Sequence, residues 1–214
     1  MKRVRSVADY GVDGDLLPVL PGRRGHFLLE SGYHTDLWLT LDALFTEPTA
    51  IAPMVEALAT KLRAHAPTAV CGSLLGGAFL AQALAAAMGT RFYFSQPAST
   101  SSRPGLFTAE YQIPSELARR IRGERVAVVD DVISAGSSAR ATVLAASRAG
   151  ARTVAVGALL TLGEAGVAHF ASKGIPFETL ECRPFNVWRP DECPLCRGAH
   201  PLEDPVQEAG KLAG

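Results

Sequence analysis

The run from Arg125 to Ser138 constrains this chain most: an apolar segment, Val126 to Val129, passes directly into Asp130 and Asp131 and then into the small-residue turn Ser134-Ala135-Gly136-Ser137-Ser138. An apolar run of this kind reads as a parallel strand buried on both faces, expected over Arg125–Val129. The two acids then fall at its carboxyl end, where open α/β sheets bind their ligands. Strand side chains alternate faces, so the acids cannot both point into one core, and at least one is expected to face the crevice. The turn supplies backbone N–H groups, hydroxyls and a helix N-terminus, which together favour a bound anion. An ordinary doubly wound domain with a Ser/Gly helix cap is the plain alternative.

A chain of 214 residues, 48% hydrophobic and 20% charged, has room for one α/β domain with a sizeable core. Lys plus Arg and Asp plus Glu both number 21, so no basic field exists to drive binding to nucleic acid or an acidic membrane. Ala69 to Met88 is long and apolar enough to be weighed as a membrane span. Gly72, Gly76 and Gly77 break it into a short strand, a loop and an Ala-rich helix, and Ser73 and Gln82 interrupt its apolarity. Behind Lys2, Arg3 and Arg5 no apolar signal segment follows, so the expected location is cytoplasmic.

Along the chain, Gly25 to Leu41 reads as a hairpin around Ser31-Gly32. A helix is expected from Pro48, behind Thr46 or Glu47 as cap, to about His65, since Ile51, Met54, Val55, Leu58 and Leu62 recur at helical spacing. Strand and helix then alternate: strand Thr68–Cys71, helix Phe79–Met88, strand Arg91–Ser95, the Arg125–Val129 strand, helix Ser137–Ala149, strand Thr153–Leu160, helix Ala165–Lys173 and strand Pro176–Leu180. That order implies a parallel sheet covered on both faces. The stretch Phe94 to Tyr111, rich in Ser, Thr and Pro and charged only at Arg103 and Glu110, is long for a connection and reads as a lid.

The Gly-rich turn Cys71-Gly72-Ser73-Leu74-Leu75-Gly76-Gly77 ends the first sheet strand and leaves backbone amides open to an anion, although glycines also permit tight strand–helix packing. Together, the acidic pair with its turn and this Gly-rich loop about fifty residues earlier resemble the type I phosphoribosyltransferases, which hold phosphoribosyl pyrophosphate (PRPP). The run Gly25-His26-Phe27-Leu28-Leu29-Glu30-Ser31-Gly32 is similar to the hood hairpin of the orotate members, and extends the resemblance over about residues 20–180. It implies one domain over 1–214: a doubly wound parallel sheet core at about 45–180, and a small hood from residues 20–42 and the C-terminal segment 181–205. It also implies transfer of phosphoribosyl from PRPP to a nucleobase with loss of pyrophosphate, a Mg²⁺ ion, and a homodimer. By position, Asp130 and Asp131 would hold the ribose hydroxyls and the metal; Ser134, Ala135, Gly136, Ser137 and Ser138 the 5-phosphate; and Gly72, Ser73, Gly76 and Gly77 the pyrophosphate. Arg103 would be the cation of the lid.

Three departures stand out. Where the orotate members carry a hood Lys and an Arg after the next strand, this chain has Glu30 and Glu164, and their pyrophosphate-loop Lys is replaced by Gly76. Glutamates at the base pocket favour a base with N–H donors over the orotate carboxylate, unless both are solvated surface groups. A non-catalytic PRPP-binding regulatory protein is the alternative from another class, and a hydrolase or phosphorylase using the same cradle is a third. Cys71 reads as inert core. Cys193 and Cys196 are spaced as half a zinc knuckle, which Cys182 and His200 could complete to four Zn²⁺ ligands; free thiols and a redox-labile pair are the competing readings. Trp188 and Arg189 would cover the base pocket or plug the core.

Overall fold

The computed structural model describes residues 22–29, 32–39, 41–98 and 110–205. Two sheets organise them. The smaller is a three-stranded antiparallel sheet of β1 (Gly22–Leu28), β2 (His34–Leu39) and β9 (Val187–Trp188), in the order β1-β2-β9. The larger contains β3 (Ala69–Ser73), β4 (Arg91–Pro97), β5 (Tyr111–Gln112), β6 (Arg125–Ile133), β7 (Arg152–Leu162) and β8 (Phe177–Arg183), in the order β5-β4-β3-β6-β7-β8. All its pairings are parallel except that of β5, which lies antiparallel on the β4 edge.

Residue alternation on β6 shows how the core is divided. Ala127 and Val129 pack with Leu58 and Leu62 of α1 (Pro48–Arg63) and Leu80 and Leu84 of α2 (Gly76–Met88). Val126 and Val128 face the opposite side, with Ala145 and Ala146 of α4 (Ser137–Arg148) and Phe170 of α5 (Ala165–Ser172). The unbroken apolar run Val126 to Val129 is what burial on both faces demands, and the expected doubly wound parallel sheet is observed. The apolar stretch 69–88 resolves into β3 and the thirteen-residue α2. No helix among the described residues is long and apolar enough to cross a membrane.

Several boundaries differ from those read in the sequence. β6 does not stop at Val129: Val132 and Ile133 pair with Leu160 and Thr161 of β7, so strand pairing overrides the poor strand propensity of two aspartates. Between the expected strands Arg91–Ser95 and Arg125–Val129, where no regular element is read in the sequence, the structure contains β5 and α3 (Ser115–Arg120). Helix α1 begins at Pro48 as expected, but Glu47 at the cap position makes no side-chain hydrogen bond; its carbonyl accepts from Ala50 N at 2.9 Å.

The small sheet is closed by the C-terminal segment from both sides. On one, β9 pairs with β2, setting Trp188 opposite His34 and Val187 opposite Thr35. On the other, Leu28 N donates to Glu203 O and Glu203 N to His26 O, both at 2.9 Å, so the tail runs along β1. Trp188 is thus a half-buried strand residue, and Arg189 is exposed. Leu37, Leu39 and Leu41 seat this sheet against the α1–α2 side of the core.

Leu62 is fully buried, and a Cβ built on Gly157 of β7 would come within 3.2 Å of its Cδ2. Leu62→Ala is expected to lower the unfolding free energy by about 3 kcal/mol or more, measured by urea denaturation. Adding Gly157→Ala should recover part of that loss by refilling the void. A loss under about 1 kcal/mol would contradict this packing.

Candidate active site

The site arises because two neighbouring strands have different lengths. The β3–β6 pairing ends at Gly72 opposite Val129, while β6 continues in register with β7 through Ile133. Asp130 and Asp131 therefore overhang the carboxyl end of β3, where the N-terminus of α2 meets them. Both are buried, 7% and 9% exposed. Ser73 Oγ donates to the Asp130 carboxylate, 3.1 and 3.2 Å from its two oxygens, and Asp131 Oδ1 accepts from Val132 N at 2.8 Å.

The glycines of the preceding loop are dictated by this contact. A Cβ on Gly76 would fall 2.1 Å from Asp131 Oδ2, and one on Gly77 2.5 Å from Asp130 Oδ1. Although successive strand residues point to opposite faces, both carboxylates thus lean on the first two residues of α2. A lysine in place of Gly76 would have to displace the Asp131 carboxylate. Gly72 serves packing: its Cβ would sit 1.8 Å from the Gly77 carbonyl oxygen. The peptide bond between Leu74 and Leu75 in this loop is cis.

Burial holds the Asp130 carboxyl well above the usual carboxylate range, and the neighbouring Asp131 charge raises it further; hydrogen bonds from Ser73 and the Asp131 backbone oppose the shift. The positive end of the α2 dipole offsets part of this cost. Two clustered carboxylates are hard oxygen donors, the chemistry that suits Mg²⁺, so the donor set fits the metal implied by the family resemblance.

Beyond β6, Gly136 adopts φ +78° at the cap of α4, a left-handed conformation that glycine accepts without strain. The chain there reverses so that the amides of Ser137 and Ser138 open the helix beside the acids. Gly166 N, at the start of α5, donates to Ser134 O at 3.0 Å, tying this turn to the end of β7. Buried Ser95 Oγ and Thr142 Oγ1, 2.7 Å apart, tie α4 to β4. Sequence reasoning missed Tyr111. Its phenol is hydrogen-bonded to Ser138, and its pKa is raised by burial and then by the Asp130 charge. The only signal for it was its place at the far end of the presumed lid.

Of the remaining expected residues, Glu30 and Arg103 lie outside the described residues. The lid expected over Phe94 to Tyr111 is described only at its base. There Gln96 and Pro97 pair with Gln112 and Tyr111, and Ala98 N donates to Glu110 O at 2.8 Å. Glu164 is exposed at the cap position of α5, just past β7, and its charge reaches Cys182.

The expected four-ligand set of Cys182, Cys193, Cys196 and His200 is not formed. Cys182 is on β8 with its Sγ 3.8 Å from Gly163 O, and His200 turns its backbone carbonyl inward, toward His26. His26 and His34 take their places, because the small sheet presents both rings to the Cys193–Cys196 turn. Cys71 is fully buried, with its thiol pushed up to about 12, as an inert core thiol should be.

A raised carboxyl pKa means that the folded state binds a proton more tightly than the unfolded chain. Asp130 therefore lowers stability at neutral pH, and that penalty fades as pH falls through its raised pKa toward the ordinary value near 3.9. In metal-free buffer Asp130→Asn is expected to raise the thermal midpoint at about pH 7.5, with the gain over wild type shrinking toward about pH 5. A gain that grows on acidification would contradict the burial argument.

Residues 44–191 match the family of the phosphoribosyl transferase domain. Curated relatives named orotate phosphoribosyltransferase include that of Thermus thermophilus, 32% identical over 180 residues covering 84% of this chain and 91% of the relative. The one from Thermotoga maritima is 31% identical over 183 residues, covering 85% and 89%. Among solved structures, the orotate phosphoribosyltransferase of Aeropyrum pernix superposes with TM-score 0.59 at 22% identity, covering 78% of this chain and 94% of its own. An adenine phosphoribosyltransferase from Thermoanaerobacter pseudethanolicus gives 0.58 at 18% identity, covering 69% and 88%. These structures share the fold, and the sequence matches settle the family: the chain is an enzyme of the type I phosphoribosyltransferase family, related to its orotate phosphoribosyltransferases.

Proposed function

We propose that this enzyme transfers the 5-phosphoribosyl group of PRPP to a ring nitrogen of a nucleobase, releasing pyrophosphate and acting as a homodimer. The overhang of Asp130 and Asp131 between two helix N-termini carries the reading. Buried acceptor oxygens suit the adjacent hydroxyls of a ribose, and hydroxyl donors relieve the repulsion that raises Asp130. The turn Ser134 to Ser138, with the first amides of α4, takes the 5-phosphate on one side. On the other, the backbone of Gly72 to Gly77 at the start of α2 takes the pyrophosphate, while the Ser73 hydroxyl orients Asp130. Magnesium, when bound, neutralises the charge that gathers on pyrophosphate as it leaves. Arg103, on the arm between β4 and β5, supplies the cation that helps exclude water from the sugar centre.

For the base, Glu164 at the end of β7 favours an N–H donor over a carboxylate. Because Glu164 is exposed, its repulsion of a carboxylate about 4 Å away is on the order of 1 kcal/mol, worth roughly fivefold in affinity. The competing substrate is orotate itself, favoured by relatives of that name at 31–32% identity.

Pyrophosphate release from PRPP and Mg²⁺ should be compared across orotate, uracil, cytosine, adenine and guanine. The expected outcome is a higher kcat/KM for an aminated base than for orotate; efficient orotate turnover would overturn the base preference and leave the transferase reading intact. Titrating PRPP into Asp130→Asn and Asp131→Asn by calorimetry with Mg²⁺ present should show at least a tenfold loss of affinity, about 1.4 kcal/mol. Unchanged affinity in both would remove the acids from the site.

A further inference from the structure

We infer that His26, His34, Cys193 and Cys196 form a tetrahedral zinc site that clasps the hairpin β1–β2 to the C-terminal segment. The four ligand atoms all lie within 4.8 Å of one another. His26 Nε2 is 3.0 Å from His34 Nδ1, 3.5 Å from Cys193 Sγ and 3.7 Å from Cys196 Sγ, and Cys196 Sγ is 3.3 Å from His34 Nδ1. Zinc bonded to two nitrogens at about 2.0 Å and two sulfurs at about 2.3 Å sets ligand edges of about 3.3–3.8 Å, so these atoms already stand near the corners of the required tetrahedron.

The proton on His26 supports the same centre. Its Nδ1 lies 3.0 Å from the backbone carbonyl oxygen of His200, which can only accept, so Nδ1 carries the hydrogen. In the neutral ring Nε2 then presents a lone pair, aimed at His34 and at two sulfurs. A backbone carbonyl fixing the tautomer of a metal-bound histidine is the usual outer-shell arrangement. The carbonyl is itself placed by a tight turn, in which His200 N donates to Leu195 O and Ala199 N to Cys196 O, both at 3.0 Å, after α6 (Pro194–Arg197). His200 thus acts through its main chain, which explains why a sequence reading that uses its ring picks the wrong fourth ligand.

Charge and burial fit as well. His26, His34 and Cys193 are 3%, 4% and 0% exposed, and Cys196 closes the site from its exposed side. Two thiolates and two neutral imidazoles around Zn²⁺ make a centre with no net charge, the form a buried site tolerates. The thiols release their protons on loading. Sulfur and imidazole ligands in a tetrahedron select zinc over magnesium, so this centre is chemically distinct from the carboxylate pair. It stands whether or not the proposed PRPP chemistry holds.

The direct experiment is elemental analysis of the full chain purified without chelator, expected to return about one zinc per chain. Cys193→Ala and His34→Ala should each fall below about a tenth of that, while Cys182→Ser and His200→Ala, which keeps the carbonyl, should retain it. Reconstituting metal-free protein with Co²⁺ should give the visible bands of a tetrahedral thiolate–imidazole centre, even if a variant folds poorly. Stripping the metal should raise hydrogen exchange in residues 22–39 and 187–203 more than in β6. Well under a tenth of a zinc per chain in reduced wild-type protein supplied with zinc, a Cys193–Cys196 disulfide in freshly isolated protein, or loss of metal in Cys182→Ser with retention in His34→Ala would each overturn the site.

Discussion

The active site depends on one mismatch in length: β6 runs four residues past its last pairing with β3 and stays held by β7. Without that overhang the two aspartates would end a strand in solvent, free to choose any rotamer. With it, they are buried under the start of α2, where Gly76 and Gly77 leave no room for a side chain. The cost is desolvation and mutual repulsion, visible in the raised pKa of Asp130. A bare pair of carboxylates in this position weakens the fold, and a partner rich in hydroxyls and positive charge relieves it. Binding and stability are opposed here, as they commonly are where a site is prearranged.

Three helix starts converge on the same sheet end. The loop before α2 carries the glycines, the left-handed Gly136 turns the chain into α4, and the α5 start is fastened to that turn through Gly166 and Ser134. The α2 and α4 starts present their first amides on the side where anions would lie. Tyr111 joins Ser138 and Asp130 from the edge strand β5, so the arm that leaves β4 returns directly beside the acids. The small sheet is fastened separately, by leucines on the α1–α2 side and by the C-terminal segment that grips both of its edges.

Much of this was legible in the sequence because its signals are local. Apolar runs marked the strands of the parallel sheet, and the Asp-Asp and Gly-rich motifs marked the strand ends. What escaped depended on tertiary partners. Asp130 and Asp131 read as a strand end by propensity, and the strand runs on through Ile133 because β7 continues beside it. Tyr111 has no motif, and matters only because β5 returns beside α4. The cysteine pair was visible at short range, but its imidazole partners come from a hairpin more than 150 residues earlier. Two histidines flanking a hairpin turn, His26 and His34, were the available clue. Glu164 reads in the sequence either as a base-pocket charge or as a solvated surface group, and it is exposed; its position after β7 does not fix its depth.

The central claim is that Asp130 and Asp131 form the floor of a PRPP site between the α2 and α4 starts. A crystal structure of the enzyme with PRPP, with Mn²⁺ replacing Mg²⁺ so that the ion is located by its anomalous signal, tests it most directly. The account expects the ribose hydroxyls on the two carboxylates, the manganese beside them, the 5-phosphate against Ser134 to Ser138, and the pyrophosphate against Gly72 to Gly77. PRPP bound elsewhere on the surface, with no sugar hydroxyl on the acids and no anomalous density near them, would contradict it.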